Sequence, residues 1–251
     1  MHLQLDNLLR REYSTIRTEL RAISIADLRR VAHFIRSSCA EHGWADPRLN
    51  AAGGHDEVGN PETVNLYQFV YNVVAPITAP AGHEVVDTSL ELGAEGQAPG
   101  GFACWLEQDG RRRLRYLRGS PPSPPPGSPD KFVRTFSGSF AELLFDGERE
   151  AQWFVSHWWG EPVVQFVECL EGHVRDFKLE GDCRYWVCAY ANNQTRIADE
   201  LGTQGPLASP FYKALQVAQG AVLVIDEAST VTTRMWCGFE NVVIAQERKP
   251  L

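Results

Sequence analysis

Ala221-Val222-Leu223-Val224-Ile225, followed after a short polar loop by Thr233-Arg234-Met235-Trp236-Cys237-Gly238-Phe239-Glu240, decides the fold. Five apolar residues between Gly220 and Asp226 are too short for a helix core and predict a buried strand. The segment from about Thr233 to Gln246 predicts a helix. The same unit recurs twice upstream. Trp153-Phe154-Val155 precedes a helical pattern from Val163 to His173, with Val163, Phe166, Val167 and Leu170 on one face. Tyr185-Trp186-Val187-Cys188-Ala189 precedes a second helix, Phe211 to Ala218. Strand and helix alternating three times predict an α/β fold, a parallel sheet covered by helices. Ligands in such sheets sit beyond the carboxyl ends of the strands. Loops 156–161, 190–208 and 226–233 are therefore the candidate site.

Residues 131–251 form the expected α/β domain, and two segments precede it. Residues 1–45 read as a pair of helices. Leu5, Leu8, Leu9, Ile16, Leu20 and Ile23 recur at helical spacing in the first. Ser24 with Asp27 gives an S-x-x-D cap for the second, which Gly43 stops. Residues 46–130 read as an irregular segment. It holds a short docking helix over Leu66–Val74 and a hairpin of Phe102–Leu106 with Arg113–Leu117 across Asp109-Gly110. Its end, Ser120-Pro-Pro-Ser-Pro-Pro-Pro-Gly-Ser-Pro129, is excluded from helix and central strand and reads as a linker.

Composition narrows the function classes. The chain has 251 residues, 43% of them hydrophobic and 22% charged, ordinary for a soluble domain. A formal net charge of −8 argues against nucleic-acid binding, and the run Arg111-Arg112-Arg113 with Arg115 and Arg118 reads as a solvated edge. No apolar run approaches the roughly 18 residues a membrane span requires, and the N-terminus has no secretory pattern. Six cysteines without CxxC spacing suggest reduced thiols, a cytoplasmic setting and no metal site. No Gly-rich phosphate loop occurs, so a dehydrogenase or nucleoside triphosphatase is not supported.

Two loops carry a resemblance. Phe154-Val155-Ser156-His157-Trp158-Trp159-Gly160-Glu161 resembles the first box of TIR domains, and the Trp236-Cys237-Gly238-Phe239-Glu240 stretch resembles the plant-type Trp-Cys-x-x-Glu pattern. Arg234 stands where that pattern has Ser, and Gly238-Phe239 where it has Leu-Asp. The block is also similar to a protist protein group with a Ser-His-Trp-Trp-Gly-Glu-Pro core, to which Asn65-Leu66-Tyr67 belongs as well. The resemblance covers about 40% of the chain. It implies a TIR/flavodoxin-like sheet, C-terminally short, because full TIR domains continue for two further strands and helices whereas this sequence stops at Leu251. Either preceding residues complete the sheet or the copy is a truncated or degenerate one, such as a fragment of a larger protein.

The resemblance further implies an intracellular hydrolase that cleaves NAD at the nicotinamide–ribose bond, with NAD as substrate, no cofactor and Glu240 as catalytic carboxylate. An oxocarbenium-like ribose needs a carboxylate nearby, and the cationic nicotinamide needs no strong acid to leave. The alternative is a non-catalytic scaffold that self-associates as a homo-oligomer. Around Glu240 several readings stay open. Trp236, four residues before it, packs under the site or belongs to the core. Ser156 bonds a ribose or phosphate, and His157 is a weak candidate base because no carboxylate is obviously placed to orient it. Trp158 and Trp159 stack on a base, or pack on the N-terminal helices or another subunit. Asn192 and Asn193 with Gln194 bind ribose or form a bare turn. Asp226 binds a ribose hydroxyl or caps the next helix. The catalytic reading requires Glu240 to face a cleft bordered by Ser156 and Asn192, at the carboxyl ends of the strands.

Overall fold

A computed structural model describes residues 16–44, 59–78, 85–86, 101–108, 111–118, 131–132, 138–145, 147–179, 181–202 and 204–251. Its strands are β1 (Ile23–Ser24), β2 (Val85–Val86), β3 (Gly101–Gln108), β4 (Arg111–Arg118), β5 (Lys131–Phe132), β6 (Trp153–Ser156), β7 (Arg184–Trp186) and β8 (Gly220–Leu223). Its helices are α1 (Ile25–His42), α2 (Leu66–Phe69), α3 (Ala75–Thr78), α4 (Ala141–Leu144), α5 (Val163–Asp176), α6 (Cys188–Ala191), α7 (Ile197–Leu201), α8 (Pro210–Val217) and α9 (Met235–Gln246).

The central sheet has the order β1-β7-β6-β8. β6 runs parallel to both β7 and β8, as the alternating pattern predicts. β1 lies antiparallel on β7, so the sheet is mixed rather than wholly parallel. This corrects the expectation for residues 16–24, where the helical spacing of Ile16, Leu20 and Ile23 ends in a 3-10 turn (Thr18–Leu20) and a strand. The backbone of Ile25 then donates to Cys183 O at 2.8 Å, tying this segment to the sheet edge. The remainder of the expected first helix, residues 1–15, lies outside the described residues, as does the Pro-rich run 120–129. The C-terminal residues meet the opposite edge, where Ala221 N donates to Pro250 O at 2.8 Å.

Pleating sends neighbouring residues of β6 into different cores. Val155 joins Leu28, Ile35, Phe166 and Leu170 beneath α1 and α5. Phe154 joins Trp186, Leu215, Val243 and Ile244 beneath α8 and α9, and its ring stacks on Trp186 at 5.3 Å. Helices thus cover both faces. Gly220 is required by close approach: a Cβ there would lie 2.5 Å from the Trp153 ring across the β6–β8 ladder. The hairpin pairs β3 with β4 in the expected register, Phe102 opposite Leu117.

α1 starts and stops where its sequence says. Ser24 Oγ accepts from Asp27 N at 3.1 Å, and Gly43 adopts the left-handed conformation, φ 52°, that glycine tolerates best. Ser24→Ala removes the cap and is expected to cost about 1 kcal/mol, read from the denaturant midpoint. The docking helix starts on a capping box between Asn65 and Gln68, then passes through a π turn, Val70–Val74, into α3. Pro76, which has no N–H to give the preceding turn, accounts for the irregularity. The second expected strand is shorter than Tyr185–Ala189. It ends at Trp186, because Val187 serves as N-cap of α6 and Ala191 N returns to Val187 O at 2.9 Å.

Candidate functional site

The carboxyl ends of β6, β7 and β8 lie at the same end of the sheet, and α9 follows β8 after a 3-10 turn, Thr230–Thr233. Glu240 lies one turn into α9, on the face that carries Cys237, Val243 and Ile244 inward. Only 4% of it is exposed. Ser156, the last residue of β6, donates its hydroxyl to Glu240 Oε2 at 2.5 Å. The helix after the third strand therefore delivers a carboxylate to the end of the first.

Burial pushes the Glu240 carboxyl up to about 7; the Ser156 hydroxyl and the Arg234 charge act in the opposite direction. A buried carboxylate whose side-chain hydrogen-bond partner among the described residues is a hydroxyl is costly for folding alone, and such groups concentrate where chemistry is done. Two thiols flank it. Burial raises Cys188 to about 12, with the Glu240 charge adding to the rise, and Cys237 is raised by the same two causes. Both are protonated at neutral pH and serve as small apolar walls.

The tryptophans of the β6 loop turn onto their own chain. Trp159 Nε1 donates to Cys188 Sγ at 3.1 Å, and its ring meets Tyr67 edge-on at 5.4 Å. Trp158 folds over Gly160, where a Cβ would lie 2.1 Å from the indole. His157, one residue past Ser156, is buried against Phe166 at 4.7 Å between ring centroids. Its Nδ1 lies 3.1 Å from Glu161 Oε1, while Nε2 is buried with no hydrogen-bond partner among the described residues. A carboxylate to orient His157 is thus present. The sequence reading missed Glu161 because it sits four residues on, across the tight turn from Trp158 to Glu161, and that i, i+4 spacing was the available signal.

At the end of β7, Asn192 is buried and its Oδ1 has no partner among the described residues. Asn193 builds a turn, its Oδ1 accepting from Thr195 N and Oγ1 at 3.1 and 2.8 Å. Gln194 Nε2 donates to the carbonyls of Cys188, Ala189 and Asn192, closing α6. Asp226 accepts from Thr230 N and Oγ1, both at 2.6 Å, and so caps the 3-10 turn; the Thr230 hydroxyl holds its carboxyl below the ordinary range. Trp236 stacks on Phe211 of α8 at 5.3 Å and tilts against Phe239. It lies against that helix pair, while Glu240 turns inward to Ser156. Sequence reasoning set Tyr67 in the Asn65-Leu66-Tyr67 resemblance but gave it no role; its hydroxyl accepts from Arg234 Nη1 at 3.0 Å from 167 positions away.

Among the described residues no group of three or more His, Cys, Asp and Glu side chains is placed to hold a metal ion, and no helix is long and apolar enough to cross a membrane. Comparison of the chain with protein-family models, with curated proteins and with solved structures found no match in any of the three.

Proposed function

We propose that the chain is a TIR-like hydrolase that cleaves the bond between nicotinamide and ribose in NAD, with Glu240 as its catalytic carboxylate. The observation that carries this reading is the buried Glu240 carboxyl bonded to Ser156 at the end of β6. The three βα units order their strands second-first-third, β7-β6-β8, and this supports reading the sheet as flavodoxin-like. In that order the switch point falls between the first and third strands, and ligands bind there. Ser156 stands at the end of the first strand and Glu240 on the helix that follows the third.

The chemistry suits one carboxylate. As the C1′–N bond breaks, its electron pair goes to the pyridine nitrogen and nicotinamide leaves neutral. Positive charge grows on the ribose, where the Glu240 anion lowers its energy. Water then bonds to C1′ and releases a proton to solvent. The pyridinium of arriving NAD favours the ionised form of Glu240, opposing the burial that raises its proton affinity. The free protein needs the anion, so kcat/KM rises with pH through a midpoint of about 7 and levels above it. Incubation with NAD and measurement of released nicotinamide tests the reading. Loss of release in Glu240→Gln supports it, and a variant as active as the parent refutes it.

A scaffold role has its own observation. α9 turns Met235 and Val242 outward, 91% and 54% exposed, with the half-buried Phe239 between them. A stripe at i, i+4 and i+7 is the spacing of a helix-packing face. If two copies pair through it, Val242→Glu lowers the mass seen by light scattering to that of one chain. An unchanged mass removes this second reading.

A further inference from the structure

Arg234 is the residue before α9, half-buried, six positions before Glu240. Its only hydrogen-bonded side-chain partner among the described residues is the neutral Tyr67 hydroxyl. Every other arginine with a side-chain hydrogen bond to an ionisable group in the described core, such as Arg21 or Arg149, meets a carboxylate. No described carboxylate lies within ion-pair distance of Arg234, which is the N-cap of the helix that carries Glu240.

The hold on this cation is built from three distant segments. Tyr67 comes from α2, Trp159 from the loop after β6 and Arg234 from the turn before α9. Leu66 N donates to Trp159 O at 3.0 Å, and Val163 N to Val64 O at 2.8 Å, fastening the α2 entry across the β6 loop. The Tyr67 ring then rests edge-on against Trp159. A phenol fixes a guanidinium in place without neutralising it. Of the five N–H donors, one is used on Tyr67 among the described residues, and the planar fork retains the geometry that matches two oxygens of one phosphate.

We propose that Arg234, positioned by Tyr67, binds a phosphate of the substrate, so that the site selects phosphate-bearing pyridine nucleotides over the bare riboside. This rests on the hydrolase reading for its substrate class. NAD supplies two phosphates on the ribose side of the scissile bond, so a cation at the start of the helix that carries the carboxylate meets charge that nicotinamide riboside lacks. A lysine at this position would offer a point charge and no fork, and a neutral residue would offer neither.

The test compares the two substrates at pH 9, where Glu240 is ionised with or without the neighbouring cation. Arg234→Gln should lower kcat/KM for NAD about 10- to 100-fold more than for nicotinamide riboside, with the loss in KM. Tyr67→Phe should give a smaller loss of the same kind. Equal losses on both substrates would mean that Arg234 only tunes Glu240, and would overturn the inference. Titration with ADP-ribose by calorimetry is independent of turnover. Binding by the parent chain that weakens about 10-fold or more in Arg234→Gln supports the phosphate site even if nicotinamide release is never seen, which separates its fate from that of the hydrolase reading. No binding by the parent, or equal binding by both, overturns it.

Discussion

Glu240→Gln should abolish nicotinamide release and, at pH 8, make the protein more stable than its parent by about 3 kcal/mol. The second half follows from burial. An ordinary glutamate near 4.5 is raised to about 7 in the fold, and at about 1.4 kcal/mol per tenfold change in proton affinity the difference is about 3 kcal/mol. The sign is fixed by which state holds the proton. Below 4.5 both folded and unfolded chains are protonated at this position and nothing depends on pH. Between 4.5 and about 7 the folded chain keeps a proton that the unfolded chain has lost, so stability falls as pH rises, and above about 7 the loss is complete. Glutamine has the shape of the protonated acid and can still accept from Ser156 through its Oε1. The variant and parent should therefore match at pH 4 and diverge toward pH 8, read as a shift in urea midpoint at constant slope. A residue kept at a cost to stability is the signature of a site rather than of a core. Should the two proteins show the same pH dependence, Glu240 is not the buried acid described, and the catalytic reading falls with it.

Much of the frame was legible because it is local. Ser24 and Gly43 bound α1 through contacts within one turn. The apolar runs at 153–155 and 221–225 became β6 and β8, and the periodicity of Val163, Phe166, Val167 and Leu170 became the inner face of α5. Glu240 is singled out in the sequence by the resemblance of Trp236-Cys237-Gly238-Phe239-Glu240 to the Trp-Cys-x-x-Glu pattern, on a helix after an apolar strand. What escaped is non-local or period-ambiguous. Ile16, Leu20 and Ile23 fit a helical repeat, and only pairing with Arg184 and Tyr185 makes a strand of Ile23–Ser24. Tyr185–Ala189 is apolar throughout, so nothing in its pattern marks the turn at Val187 into α6. Trp158 and Trp159 were ambiguous between ligand and packing. Trp159 packs on Tyr67 and Cys188, partners no window of sequence around it contains. Tyr67 and Arg234 meet only when the sheet brings their loops together.

Arg21 is the other residue whose role appears only in three dimensions, and Arg21→Met should destabilise the protein by about 3–5 kcal/mol. In sequence it is one of several charges on the N-terminal segment. In the fold it is 5% exposed. Its Nε and Nη2 donate to Ile16 O at 3.0 and 2.8 Å, and its Nη1 donates to Ala191 O at 3.0 Å and Glu200 Oε1 at 2.7 Å. Glu142 Oε2 lies 3.4 Å from Nε, on a carboxylate that is 1% exposed. The second oxygen of Glu200 accepts from Asn193 N at 2.7 Å, so one guanidinium holds the chain end of α6 and the Asn192–Asn193 turn against the N-terminal segment. Methionine fills similar volume but leaves Glu142 facing an apolar side chain and the Ala191 carbonyl without this donor. Ser139 N and Oγ still donate to Glu142 Oε2 at 2.8 and 3.0 Å, so most of the cost is a buried carboxylate deprived of its neighbouring cation rather than the lost attraction alone. Two further variants separate the causes. Arg21→Lys keeps the charge but offers three donors from one atom, which cannot span Ile16, Ala191 and both glutamates, so it should recover only part of the loss. Adding Glu142→Gln to Arg21→Met should cost less than the two single changes together, because the buried negative charge that Arg21 offsets is gone. If Arg21→Lys is as stable as the parent, charge alone suffices and the fork geometry is not what ties the β7 loop in place. If the double variant is simply additive, Glu142 is not the group that Arg21 neutralises.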